Sequence, residues 1–146
     1  MRLAVLALAL LFVAVACDSG GEKRLSREEY ANRADAVCRR TNRLTQPPGN
    51  ISSMPALARF ADRTLKPLDR ALMDLRALRP PEDEQATVNA WLRQLRRLRA
   101  DAVRIRDLAQ ANDARGVSTV ALAATKRNER FKALAARLGM TVCSRD

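Results

Sequence analysis

The apolar residues of this chain recur at alternating steps of three and four, and the pattern breaks where proline or small polar residues cluster. An α-helix turns once every 3.6 residues, so that spacing lays a single apolar stripe along one side of a helix. Tyr30, Ala34, Val37, Thr41 and Leu44 form a first stripe. Leu57, Phe60, Leu65, Leu68, Leu72, Leu75 and Leu78 form a second. Val88, Trp91, Leu92, Leu95, Leu98, Ala102, Ile105 and Ala109 form a third, and Val120, Ala124, Phe131, Leu134 and Leu138 a fourth. A half-buried strand would alternate at every second residue instead. Aromatic residues make up only 3% of the chain, and Ala, Leu and Arg, all good helix formers, dominate it.

The punctuation between stripes fixes the helix ends. Ser26-Arg27-Glu28-Glu29 is a capping box, with Ser at the N-cap and Glu three residues later. Gln46-Pro47-Pro48-Gly49-Asn50 ends the first helix, and Ser52 or Ser53 opens the second, with Pro55 in its first turn. Pro67 lacks an N–H and crowds the carbonyl four residues back, which predicts a kink or a short break just before it. After Arg79-Pro80-Pro81, the acids Glu82, Asp83 and Glu84 suit the positive end of a third helix. The pattern weakens at Ala111-Asn112, Asp113 is the expected N-cap of a fourth helix, and Gly139 its left-handed C-cap, with Met140 folding back on Leu134 or Ala135. Four helices, each apolar on one side and joined by short turns, predict an all-α protein: an antiparallel four-helix bundle with a kinked second helix, over residues 26–146.

What precedes the bundle is a targeting segment. Met1-Arg2 is a short positive start, Leu3 to Val15 an unbroken apolar run, and polarity arrives at once after Cys17 with Asp18, Ser19, Gly20 and Gly21. This is the layout of a signal peptide, and the run falls short of the about 20 residues a transmembrane helix needs. Ala14-Val15-Ala16 satisfies the rule for ordinary signal peptidase, which would release a soluble protein. Ala14-Val15-Ala16-Cys17 also resembles the lipobox of bacterial lipoproteins, with Ala14 where Leu is usual. That resemblance implies residues 1–16 as a cleaved lipoprotein signal peptide, lipid attached at Cys17, and a polar tether through residue 25. The protein would then sit outside the cytoplasm, anchored to the outer face of the cell membrane.

With Cys17 assigned to lipid, Cys38 and Cys143 remain in a chain exported to an oxidising compartment, and a disulfide between them is the expectation. In an up-down bundle helix four ends beside the start of helix one. Cys38 lies about 18 Å along helix one from Ser26. The tail from Gly139 to Cys143 spans up to about 14 Å, so the bond is within reach if helix four stops slightly short.

The chain contains no histidine. Ser-His-Asp and Cys-His catalysis, His-based zinc sites, and the Glu-x-x-His pairs of di-iron bundles are therefore out of reach. No glycine-rich phosphate loop is present, no cofactor is indicated, and the chain reads as a non-enzyme. Asp62, Asp69, Asp74, Asp101 and Asp107 almost all have Arg within three or four residues and read as solvated helix-face ion pairs.

The formal charge is +11, of which Arg2 in the leader accounts for one. Six arginines fall within a short part of the third stripe: Arg93, Arg96, Arg97, Arg99, Arg104 and Arg106. Arg93, Arg97 and Arg104 share one flank of that stripe, and Arg96, Arg99 and Arg106 lie on the other side. Their stems can cover the edges of the buried stripe with the heads in water. Alternatively Arg93, Arg96, Arg97 and Arg104 form a polyanion surface for anionic lipid or an acidic wall polymer. Nucleic acid is not indicated, because no aromatic stacking platform accompanies them. Asn128 reads as a register or bundle-edge residue, and Trp91 as core.

The run Leu25-Ser26-Arg27-Glu28-Glu29-Tyr30 leading to Ala34-Asp35-Ala36-Val37-Cys38, then Leu78-Arg79-Pro80-Pro81, Asp113 and Leu138-Gly139-Met140 with Cys143, forms a chain-wide pattern. It resembles a group of small secreted or lipidated helical proteins of actinobacteria and their high-GC relatives. The resemblance implies the helical fold and the disulfide, and no activity or site. The functional expectation is a lipid-tethered, non-enzymatic interaction module for an unknown envelope protein. The alternatives are a binder of a small apolar ligand between the helices, with Pro67 at the opening, or an anionic-lipid or polyanion surface.

Overall fold

Ser26 starts the first helix through the reciprocal bonds of the capping box: Ser26 Oγ accepts the Glu29 N–H, and the Glu29 carboxylate accepts the Ser26 N–H at 2.8 Å. The computed structural model describes residues 23–145, and its helices are α1 (Arg27–Thr45), α2 (Met54–Ala77), α3 (Gln85–Gln110) and α4 (Ala114–Arg137). The expected signal peptide, Cys17 and most of the expected tether lie outside the described residues. None of the four helices is long and apolar enough to cross a membrane.

Ser53 caps α2 through the N–H of Ala56, and Asp113 caps α4 through the N–H of Gly116 at 2.9 Å. Both later helices end in Schellman motifs. Gly139 (φ 78°) donates to Ala136 O and Met140 to Ala135 O at the end of α4. At the end of α3, Asn112 takes the same left-handed conformation (φ 56°), donating to Ala109 O while Asp113 donates to Leu108 O. The weak point in the third stripe is thus a cap supplied by asparagine. The three acids before α3 contribute no side-chain cap; the turn closes through Glu84 N–H to Pro81 O and Gln85 N–H to Glu82 O. No short break occurs at Pro67: α2 runs continuously through it, and packing of the stripe on both sides outweighs the one backbone bond proline removes.

α1 packs along α2, α2 along α3 and α3 along α4, giving an all-α four-helix bundle. The core runs from Tyr30, Ala34 and Val37 on α1 through Leu72 and Leu75 on α2 to Trp91, Leu92 and Leu95 on α3, and Ala135 and Leu138 close it. Trp91 is fully buried and stacks on Phe131, ring centroids 5.2 Å apart. Leu44 does not belong to the core, being 61% exposed, and α1 loses its apolar face in its last two turns. The residues just before α1 are tied down as well. Leu25 N–H donates to Arg79 O at 2.9 Å, its side chain packs against the core, and Arg24 donates to Pro80 O at 3.1 Å.

Candidate functional site

Between α1 and α4 the bundle is completed by the C-terminal tail rather than by helix-on-helix packing. Gly139 reverses the chain, Met140 is buried beside the end of α4, and residues 141–143 run along α1. There Asp35, only 5% exposed, gathers them. Asp35 Oδ1 accepts the N–H groups of Val142 and Cys143, both at 2.9 Å. Oδ2 accepts the N–H of Thr141 at 2.8 Å and its hydroxyl at 3.0 Å. Burial opposes ionisation of this carboxyl, but the four donors prevail and hold its pKa below the ordinary aspartate value. One turn further along α1, Cys38 is bonded to Cys143, with Cα atoms 5.4 Å apart.

A cleft of about 350 Å³ opens beside this bond. Its walls come from all four helices: Val37, Leu68, Leu75, Leu95, Leu98 and Phe131 supply apolar surface, and the disulfide closes one end. The mouth carries Thr41, Asn42 and Gln46 from the end of α1, Asn128 and Lys132 from α4, and Arg145 from the tail. Among the described residues no carboxylate lines it. An apolar interior with amides and two cations at the mouth is complementary to a molecule with a hydrocarbon body and a polar or anionic end. Pro67 is not part of the lining. The opening lies at Pro47, where the short α1 ends, and not at the proline of α2.

Arg70–Asp74 and Arg106–Asp107 are same-helix pairs of the kind expected, and the remaining aspartate pairs cross between helices. Asp69 takes both Nε and Nη2 of Arg99 at 2.8 and 3.1 Å, tying α2 to α3. Arg106 reaches Asp62 across the same interface at 3.4 Å as well as its neighbour Asp107. Asp74 pairs with Arg40 and Arg70. Asp101 is no surface residue: it is 4% exposed, and Arg127 of α4 donates to it at 2.7 Å. Sequence spacing along one helix does not reveal the ties between helices.

The same pairings divide the arginines of α3. Arg99 and Arg106 are engaged with α2, whereas Arg93, Arg96, Arg97 and Arg104 are exposed and have no ion-pair partner among the described residues. Among the described residues no group of three potential metal ligands comes together.

No family model, curated protein or solved structure matches this chain.

Asn128 and Asp35 are the residues whose roles the sequence concealed. Asn128 lines the cleft, and the signal for it is positional: it precedes Phe131 by three and Lys132 by four, which places all three on one helix face. Asp35 sits between the buried Ala34 and Val37, where an acid inside an apolar stripe points to a specific partner.

Proposed function

We propose that this chain is an envelope lipoprotein, anchored through lipid on Cys17 to the outer face of the cell membrane. Its bundle is a non-enzymatic binding module for an apolar molecule with a polar or anionic end. The observation that carries the binding reading is the cleft beneath the Cys38–Cys143 bond, about 350 Å³ and apolar inside with cations at its mouth. That volume falls within the roughly 300–1,000 Å³ of small-molecule sites. Support for the anchor is the Ala14-Val15-Ala16-Cys17 sequence after an apolar leader. The ligand reading is preferred over a protein-docking surface because the large exposed apolar residues, Leu44, Met73 and Leu122, are single residues on three different helices.

Two measurements separate the parts. Metabolic labelling with a lipid precursor reports the anchor; wild type incorporates label and Cys17→Ala does not, and an unlabelled wild type refutes it. Titration of the chain from Cys17 onward with a fluorescent long-chain fatty acid reports the cleft. Saturable one-site binding is expected, and an absence of binding at micromolar probe refutes the ligand reading.

A further inference from the structure

A second hollow lies at the C-terminal end of α2, where α2 turns into α3. About 310 Å³ in volume, it is floored by the buried Val88 and Leu92 and rimmed by Arg76, Arg93 and Arg96. All three guanidinium groups are exposed, and among the described residues none has an ion-pair partner and no carboxylate lines the hollow. The acids of the adjoining turn are directed elsewhere: Glu84 pairs with Arg27 at 3.2 Å, and Glu82 and Asp83 lie outside the lining. Gln85 on the rim accepts from Arg24 at 3.3 Å, and Arg24 also holds Pro80 O. The start of the described chain is therefore fastened to the edge of the hollow.

Three unpaired guanidiniums around one hollow are complementary to a phosphodiester, since arginine forms paired, charge-assisted bonds with phosphate oxygens. The location chooses the source of that phosphate. Cys17 is six residues before Lys23, a span of at most about 21 Å, and Lys23 and Arg24 add charge at the same end. We infer that Arg76, Arg93 and Arg96 form a site for the headgroup of an anionic phospholipid in the membrane that carries the anchor, orienting the bundle with this end toward the bilayer. The inference rests on the anchored reading for where the bilayer lies, while the site stands on its own geometry.

The test uses the chain from Cys17 onward with Cys17→Ser, which cannot be lipidated and retains every helix and the disulfide, so failure of the anchor and failure of the site are read separately. Binding to phosphatidylglycerol vesicles is compared with phosphatidylcholine vesicles at low salt. The triple variant R76Q/R93Q/R96Q is compared with R39Q/R43Q/R59Q, which removes the same charge from exposed arginines toward the opposite end. Each cation near an anionic surface contributes about 1 kcal/mol, so the first variant is expected to bind phosphatidylglycerol roughly 100-fold more weakly and the second within about 3-fold of the parent. Circular dichroism and thermal melting establish that both variants are folded. Equal losses in the two variants, or no preference of the parent for phosphatidylglycerol, overturn the site.

Discussion

Asp35 Oδ1 accepts the backbone N–H of Cys143 at 2.9 Å, so the residue that closes the disulfide is also held by its backbone one turn away from Cys38. The carboxylate organises the tail and the sulfur–sulfur bond locks it, and together they set where the cleft begins. Replacement of Asp35 by Asn keeps the shape but turns one acceptor oxygen into a donor that faces backbone N–H groups. The expected cost is about 3 kcal/mol, because buried donors bonded to a charged acceptor are left without one. Urea denaturation of Asp35→Asn with the disulfide intact measures it, and a loss under about 1 kcal/mol contradicts the clamp.

The same carboxyl sets an acid limb. Its pKa in the folded chain lies below the unfolded value of about 3.9, so its contribution is fully present above that value. The contribution disappears as pH falls through the folded pKa. Glu29, held ionised by the Ser26 backbone N–H, shifts in the same direction. Stability of the wild type is therefore expected to be flat from neutral pH to about pH 5 and to fall below about pH 4. The gap between wild type and Asp35→Asn should narrow over that acid range. Parallel curves for the two proteins down to about pH 2 would contradict this.

Much of the fold could be read from the chain, because caps and stripes are local. Ser26, Ser53, Asp113 and Gly139 all act through neighbours within five residues, so the physics that fixes them is contained in short windows. The Cys38–Cys143 bond was legible from exclusion and reach. The cleft was not. It depends on α1 losing its apolar face before it ends at Thr45, with Leu44 exposed, and on Cys143 being tied to Cys38, features more than 90 residues apart that meet only in three dimensions. The engagement of Arg99 and Arg106 by α2 was hidden for the same reason: helical periodicity assigns a flank but not the neighbour on it.

Asp101 and Arg127 form the tie between α3 and α4. Asp101 is 4% exposed and the Arg127 side chain 29% exposed. Arg127→Leu strands a carboxylate that has no other hydrogen-bond donor described, at an expected cost of about 2–3 kcal/mol. That is less than for a fully buried pair, because the arginine is partly solvated. Asp101→Leu combined with Arg127→Leu should recover most of the loss, since the double variant leaves no buried charge behind. A double-mutant cycle by urea denaturation reads both, and additive losses would contradict the tie.

Tyr30 is 1% exposed and its hydroxyl has no hydrogen-bond partner among the described residues. Burial alone drives its pKa above the ordinary tyrosine value. Tyr30→Phe removes a desolvated polar atom while keeping the ring, and is expected to raise stability by up to about 1 kcal/mol. A destabilisation above about 1 kcal/mol would show that the hydroxyl is bonded in solution.

Thr41 offers the cleanest way to close the cleft without disturbing the core. It lies half-buried on α1 at the mouth, and its hydroxyl donates to Val37 O of its own helix at 2.9 Å, so its removal orphans no group on another element. Tryptophan at this position has open volume ahead of it, unlike a substitution in close-packed core, where added atoms cost typically 1–3 kcal/mol. Thr41→Trp is therefore expected to change stability by less than about 1 kcal/mol and to weaken fatty-acid binding at least about tenfold. Thr41→Val, which keeps the volume, is expected to bind as wild type. If Thr41→Trp is folded and still binds the probe with unchanged affinity, the probe does not occupy the cleft beneath the disulfide.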